Sequence, residues 1–181
     1  MAGPDAEIAD AVAAIHRELG IPADYAAARG WPLQPEAEGA ALVSIGADVL
    51  GREQRLIAPA AAAWRKLQAT AAADEVVLQP VSAFRAVAYQ VEVIRRKLAA
   101  GRSIEDILQV NAVPGYSEHH TGRALDITTP GVEPLDESFE ATAAFVWLAE
   151  NAGRFGFRLS YPRDNALGMA FEPWHWAYAL R

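Results

Sequence analysis

An α+β fold, built as a single domain with a mostly antiparallel central sheet flanked by helices, follows from three observations on this 181-residue chain. The length suits one hydrophobic core. Helical and strand-like segments come in mixed order rather than as a regular alternation that would build a parallel sheet. Several short strand candidates lie close enough along the chain to pair as hairpins. Hydrophobic residues make up 52% and charged residues 22%, a balance that supports a packed core and argues against disorder.

Ile8, Val12, Ile15 and Leu19 repeat at helical spacing, with Asp5 as N-cap and Gly20 then Pro22 as the stop, so a first helix is predicted over 5–19. His16 falls outside that apolar set and is expected at the surface. The stretch "YAAARGWPLQPEAEG" is a connection punctuated by proline and glycine. "ALVSI" and "REQRLI" read as strands of a hairpin turning at 46–51. "PAAAAWRKLQATAAA" opens on a proline suited to a helix start and is rich in the best helix former.

"EVVLQPVS" reads as a strand whose Pro80 assigns it to an edge or an end. A helix follows over 86–100, stopped by Gly101, and Ser103 with Asp106 resembles a capping box for a short helix. The loop "NAVPGYSEHHTG" leads into strand "RALDITT". "SFEATAAFVWLAENAG" is helical, with Phe139, Ala143, Val146 and Glu150 marking its turns. "FGFRLSY" and "AFEPWHWAYAL" close the chain as strands on either side of a polar loop over 162–168.

Several function classes are excluded by composition. Net charge is −7 and no lysine–arginine run marks a face that could track phosphates, so no nucleic-acid partner is expected. Without cysteine there are no disulfides, thiolate zinc sites or cysteine nucleophiles, and a metal must be held by histidine and carboxylate. No stretch approaches the ~20 apolar residues of a membrane span. The first residues carry Asp5, Glu7 and Asp10 where an export signal has basic residues, so the chain as written shows no such signal. A chain trimmed of its signal would look the same, and the compartment stays open.

Chemistry concentrates in two places. In "SEHHTGRALD", strand alternation puts Ala124 and Asp126 on one face and Leu125 and Ile127 on the other. Small Ala124 leaves room beside the Asp126 carboxylate, and Gly122 permits a turn that brings His119 back towards it. Spacing alone is described better by a loop histidine with a capping aspartate. Adjacent side chains diverge, so His120 is expected behind the first ligands or in solvent. In "EPWHW", Pro173 disfavours a helical Glu172, and an extended chain would point Glu172 and His175 to opposite faces. The pair converges only if the chain bends near Pro173. Given that bend, His175 can ligate a metal while Glu172 stands one water away, the division of labour in metal-assisted hydrolysis.

Taken together the motifs resemble a known family. "SEHHTGRALD" fills every fixed position of the S-x-H-x-x-G-x-A-x-D signature of VanY-type D-alanyl-D-alanine carboxypeptidases, and "EPWHW" resembles the E-P-W-H element of that family. These enzymes belong to the wider zinc-peptidase group with lysostaphin and the hedgehog domain, which implies a hedgehog/DD-peptidase-like fold. The resemblance implies one zinc ion on His119, Asp126 and His175, with Glu172 as general base. Ser117 would anchor substrate or the site loop, unless it merely caps a turn. "SAFRAVAYQ" resembles the S-G-Y-R-S segment, which implies that Arg85 faces the oxyanion or grips a substrate carboxylate and that Gln90 is a secondary substrate contact.

The departures are Ala83, Phe84 and Ala86 in place of the commoner glycine, tyrosine and serine, and Arg123 in a slot where an apolar residue is common. The resemblance covers roughly 76–176. Residues 76–181 are therefore expected to form the zinc-peptidase core, with 1–75 as a helical and short-strand region of the same domain. The implied activity is removal of a C-terminal residue from peptidoglycan stem peptides. An endopeptidase or endolysin of the same family, or a zinc-bound binding module without turnover, are the alternatives.

Overall fold

The computed structural model describes residues 4–109 and 111–179. Among the described residues, five helices and six strands follow in order: α1 (Pro4–Leu19), β1 (Leu42–Ala47), β2 (Glu53–Ile57), α2 (Ala58–Ala73), β3 (Gln79–Ser82), α3 (Val87–Ala99), α4 (Ile104–Leu108), β4 (Ala124–Thr128), α5 (Ala143–Asn151), β5 (Phe157–Leu159) and β6 (His175–Tyr178). Short 3₁₀ turns join several of them, among them Glu118–Thr121 and Glu137–Ala141. The class is α+β as expected, and every strand pair is antiparallel.

Strands β1 and β2 form the separate hairpin, and the central sheet has the order β3-β4-β6-β5. Pro80 accordingly lies on an edge strand, where its missing N–H breaks no ladder. All five residues of β4 are buried, as an inner strand covered on both faces requires. Leu125 and Ile127 point into the main core with Trp64 and Leu67 of α2, Trp147 and Leu148 of α5, and Trp176 of β6. The opposite face of the sheet carries Asp126 and His175. A second cluster joins Leu19, Ile21, Val91, Ile94 and Ile107, seating α1 against α3 and α4.

Three expectations need correction. Helix α1 already includes Asp5, which therefore lies inside its first turn rather than before it. His16 is buried, not at the surface. Its Nε2–H donates to the Pro114 carbonyl at 2.8 Å and the ring leans on Tyr116, so the histidine ties α1 to the loop ahead of the signature. The segment after Phe139 is not one helix, because Thr142 starts α5 afresh by accepting the Phe145 N–H at 3.1 Å. That restart sets the buried face as Ala144, Trp147 and Leu148 and leaves Val146 53% exposed.

The hairpin reaches the site through a relay of polar contacts. Asp48 in its turn accepts from Gln54 Nε2 at 2.9 Å, and Gln54 Oε1 accepts the Ala83 N–H at 2.9 Å. The carbonyl of Ala83 then faces His119. The first 3₁₀-rich connection does similar work from the other side: Gln34 N–H donates to Gly115 and Ala37 N–H to His120, each at 2.8 Å.

Candidate active site

The signature segment folds as a tight reversal. Ser117 caps the 3₁₀ turn Glu118–Thr121, its hydroxyl accepting the His119 N–H at 3.4 Å. Gly122 ends the turn at φ 64°. That left-handed conformation favours glycine, and a Cβ there would also crowd Leu42 Cδ2 at 2.9 Å and the Ile57 backbone nitrogen at 3.3 Å. The chain doubles back into β4, and His119 Nε2 arrives 3.2 Å from Asp126 Oδ2.

The C-terminal motif bends as its chemistry required. His175 N–H donates to the Glu172 carbonyl at 3.1 Å and Trp176 Nε1–H to the Pro173 carbonyl at 3.0 Å, a turn that delivers His175 to the first position of β6. There it pairs in register with Asp126 of β4. His175 Nδ1 lies 3.0 Å from Asp126 Oδ1 and 3.8 Å from Glu172 Oε2.

His119, Asp126 and His175 thus converge, each buried and each with a donor atom within 4.8 Å of the others. Hydrogen bonding fixes which imidazole nitrogen is free. The Ala83 carbonyl can only accept, so His119 Nδ1 carries the proton at 2.6 Å and the Nε2 lone pair is left free, on the side where Asp126 Oδ2 lies 3.2 Å away. His120 turns away: its Nδ1–H donates to the Arg85 carbonyl at 2.5 Å and its Nε2 accepts the Gly115 N–H at 3.2 Å. It is fully buried, and it braces the backbone of Arg85 rather than reaching solvent. Two imidazoles and a carboxylate within one ion's reach fit a divalent zinc-type cation, for which no thiolate is needed.

Electrostatics separates the site's carboxylates. Burial opposes ionisation of Asp126, yet His119 and His175 hold its carboxyl far below the usual range. Burial acts on Glu172 too, and with Asp126 and Glu118 nearby it is raised to about 7 despite the attraction of His175. Burial disfavours a charged His175, but hydrogen bonds to Asp126 and Glu118 outweigh it and push the imidazole up to about 10. Burial likewise lowers His119, with only Asp126 pulling the other way.

A cleft of about 470 Å³ opens over these groups, with Arg85, Asn111, Ser117, Phe171 and Trp174 on its walls. Arg85 is half-buried, its Nη2 3.9 Å from Asp126 Oδ2. Gln90 lies behind Arg85 and does not line the cleft. It is fully buried, accepts from Arg85 Nη1 at 3.1 Å and donates to the Ala112 carbonyl at 2.8 Å, so both ends of its amide serve to hold the guanidinium.

Sequence reasoning missed two side chains. Glu118, in a variable slot of the signature, places Oε2 3.0 Å from His175 Nε2, while its Oε1 takes a 3.2 Å bond from Arg158. Burial works against this carboxylate, yet His175 and Arg158 hold it at about 2. Tyr161 lays its ring 4.7 Å from the His175 ring. Its phenol is pushed above the ordinary range by burial and the surrounding carboxylates. A carboxylate next to a candidate ligand histidine was the only signal for Glu118, and nothing in the strand candidate "FGFRLSY" marked Tyr161.

Fold and site together form a candidate metal centre: a buried two-histidine, one-aspartate cluster at the edge of an open cleft with a carboxylate beside it. Residues 53–180 match the family described as VanY: D-alanyl-D-alanine carboxypeptidase, and the chain belongs to that family. The match begins upstream of residue 76, where the motif resemblance starts. A D-alanyl-D-alanine carboxypeptidase of Enterococcus faecalis (strain ATCC 700802 / V583) is 42% identical over 69 residues, 37% of this chain and 24% of that protein. The matched stretch thus spans about a quarter of that relative's own length.

Among solved structures, the LD-carboxypeptidase LdcB superposes with a TM-score of 0.69 at 30% identity, covering 78% of this chain and 69% of that one. The vancomycin-resistance D,D-pentapeptidase VanY from a VanB-type cassette, in complex with Zn(II), gives a TM-score of 0.59 at 27% identity over 81% and 85%.

Proposed function

We propose that the chain is a zinc-dependent carboxypeptidase that removes the C-terminal D-alanine from peptidoglycan stem peptides. The observation that carries the reading is the convergence of His119, Asp126 and His175 with Glu172 only 3.8 Å from His175. Family membership and the zinc complex of a relative support the metal and the peptide class. The packing of Leu56 and Trp64 in one core with Leu125 and Trp176 supports reading residues 1–75 as part of the same domain.

His119 Nε2, a carboxylate oxygen of Asp126 and His175 Nδ1 would hold the ion. Zinc supplies Lewis acidity there, acidifying water and polarising the scissile carbonyl. Glu172, poised near neutrality by burial, takes the proton from the attacking water and returns it to the leaving amine. Arg85 faces the oxygen on which negative charge develops, and Gln90 keeps its guanidinium aimed. Ser117 anchors the turn carrying His119. Glu118 fixes the ring of His175 through Nε2, the role a carboxylate plays behind a metal-bound imidazole.

An L,D-carboxypeptidase would use the same groups, and the likeness to LdcB favours keeping that bond in the test. Product analysis on defined stem peptides separates the readings. Release of free D-alanine from a pentapeptide marks D,D cleavage, and release from a tetrapeptide marks L,D cleavage. Glu172→Gln protein serves as the control. Absence of both products in zinc-loaded wild type refutes the proposal.

A further inference from the structure

We propose that a second compartment of the cleft, walled by Trp31 and carrying Arg123 and Arg158, binds a carboxylate of the peptide retained after cleavage. This rests on the carboxypeptidase reading above. A cavity of about 200 Å³ lies between Trp31, Gln34, Tyr161 and Leu167, with Arg123 and Arg158 on its polar side. Ala112, Tyr161 and Met169 border both this cavity and the metal cleft, so the two adjoin.

Sheet register places the arginine. Arg158 of β5 and Ala124 of β4 both pair with Ala177 of β6, as Asp126 pairs with His175. Arg158 therefore shares the metal-bearing face, two residues along the ladder from the ligands, roughly 7 Å at strand rise. Alanines at 124 and 177 keep that row low. Arg158 already pairs with Glu118 at 3.2 Å, whereas Arg123 forms no ion pair among the described residues. The uncommitted positive charge is therefore that of Arg123, the residue that departs from the apolar habit of its slot.

The wall is built by a segment outside the stretch that matches the family. Trp31 Nε1–H donates to the Leu167 carbonyl at 2.8 Å, which clamps the 3₁₀-rich connection onto the loop over 162–168. A carboxypeptidase releases one residue and keeps the rest. Space that opens beyond the metal cleft therefore serves the retained chain, and guanidinium is the group suited to a carboxylate on it. Stem peptides offer such a group in their γ-linked D-glutamate.

The test is binding, which does not depend on turnover. The Kd of L-Ala-γ-D-Glu-L-Lys-D-Ala and of its D-isoglutamine analogue, in which only that carboxylate is amidated, is measured calorimetrically on zinc-loaded full-length protein. Turnover is blocked by Glu172→Gln. The acidic peptide is expected to bind about tenfold more tightly than the amide, the scale of one charge-assisted hydrogen bond. Adding Arg123→Gln should abolish that preference, and adding Trp31→Ala should weaken both peptides alike. Equal Kd values for the two peptides, a preference that survives Arg123→Gln, or no binding of either peptide would overturn the proposal. Failure of wild type to release D-alanine while the preference persists would instead refute the catalytic reading alone.

Discussion

The two histidines of the site are held by opposite means. His119 sits in a tight turn and is oriented by backbone: a carbonyl takes its Nδ1–H, and a serine cap and a left-handed glycine set the turn. His175 sits at the start of a strand and is oriented by charge, with Asp126 on one nitrogen and Glu118 on the other. Burial consequently lowers the first imidazole, while two carboxylates raise the second to about 10. The difference teaches that one half of the site is preformed and neutral. The other half is a proton store that a cation must displace.

The contrast also explains what could be read in the sequence. Gly122, Ser117 and the alternation of Ala124 and Asp126 are local devices, and local devices leave a residue-type signature. The need for a bend near Pro173 was legible, but the bend itself was not. The burial of His16 and the place of Glu118 were not legible, because their partners, the Pro114 carbonyl and the His175 imidazole, are chosen by tertiary packing. The wall formed by Trp31 was illegible for a further reason: backbone bonds such as Gln34 to Gly115 can be made by almost any residue. Helix α5 was misphased because a single hydroxyl, that of Thr142, restarts it.

The largest expected effect falls on the proposed proton acceptor beside the charged half. Glu172→Gln should lower kcat by ~10²–10⁴-fold with the fold retained, as read by steady-state release of D-alanine. Rates near wild type would move the base elsewhere. On the preformed half, Arg85→Ala should lower kcat and kcat/KM together by about 10²-fold. A rise in KM alone would reassign the guanidinium to gripping a substrate carboxylate, and Arg85→Lys should not restore the rate because ammonium lacks the planar fork.

Smaller effects sharpen the electrostatic contrast itself. Glu118→Ala should weaken zinc affinity by about 10–100-fold in a chelator competition, since His175 loses the partner that orients it. Zinc uptake by wild type should release a proton, because His175 is protonated in the metal-free site up to about pH 10. Affinity should therefore rise with pH throughout the neutral range, by up to about tenfold per unit. In Glu118→Ala protein the rise should level off at lower pH, because one of the two carboxylates that raise His175 is gone. Identical pH profiles for the two proteins would contradict the assignment of Glu118.

Zinc content per chain, measured by elemental analysis on purified variants, tests the central claim most directly. About one zinc is expected in wild type, His120→Ala and Glu172→Gln, and little in His119→Ala, Asp126→Ala and His175→Ala. Full zinc in His175→Ala, or its loss from Glu172→Gln, would contradict the site as assigned here.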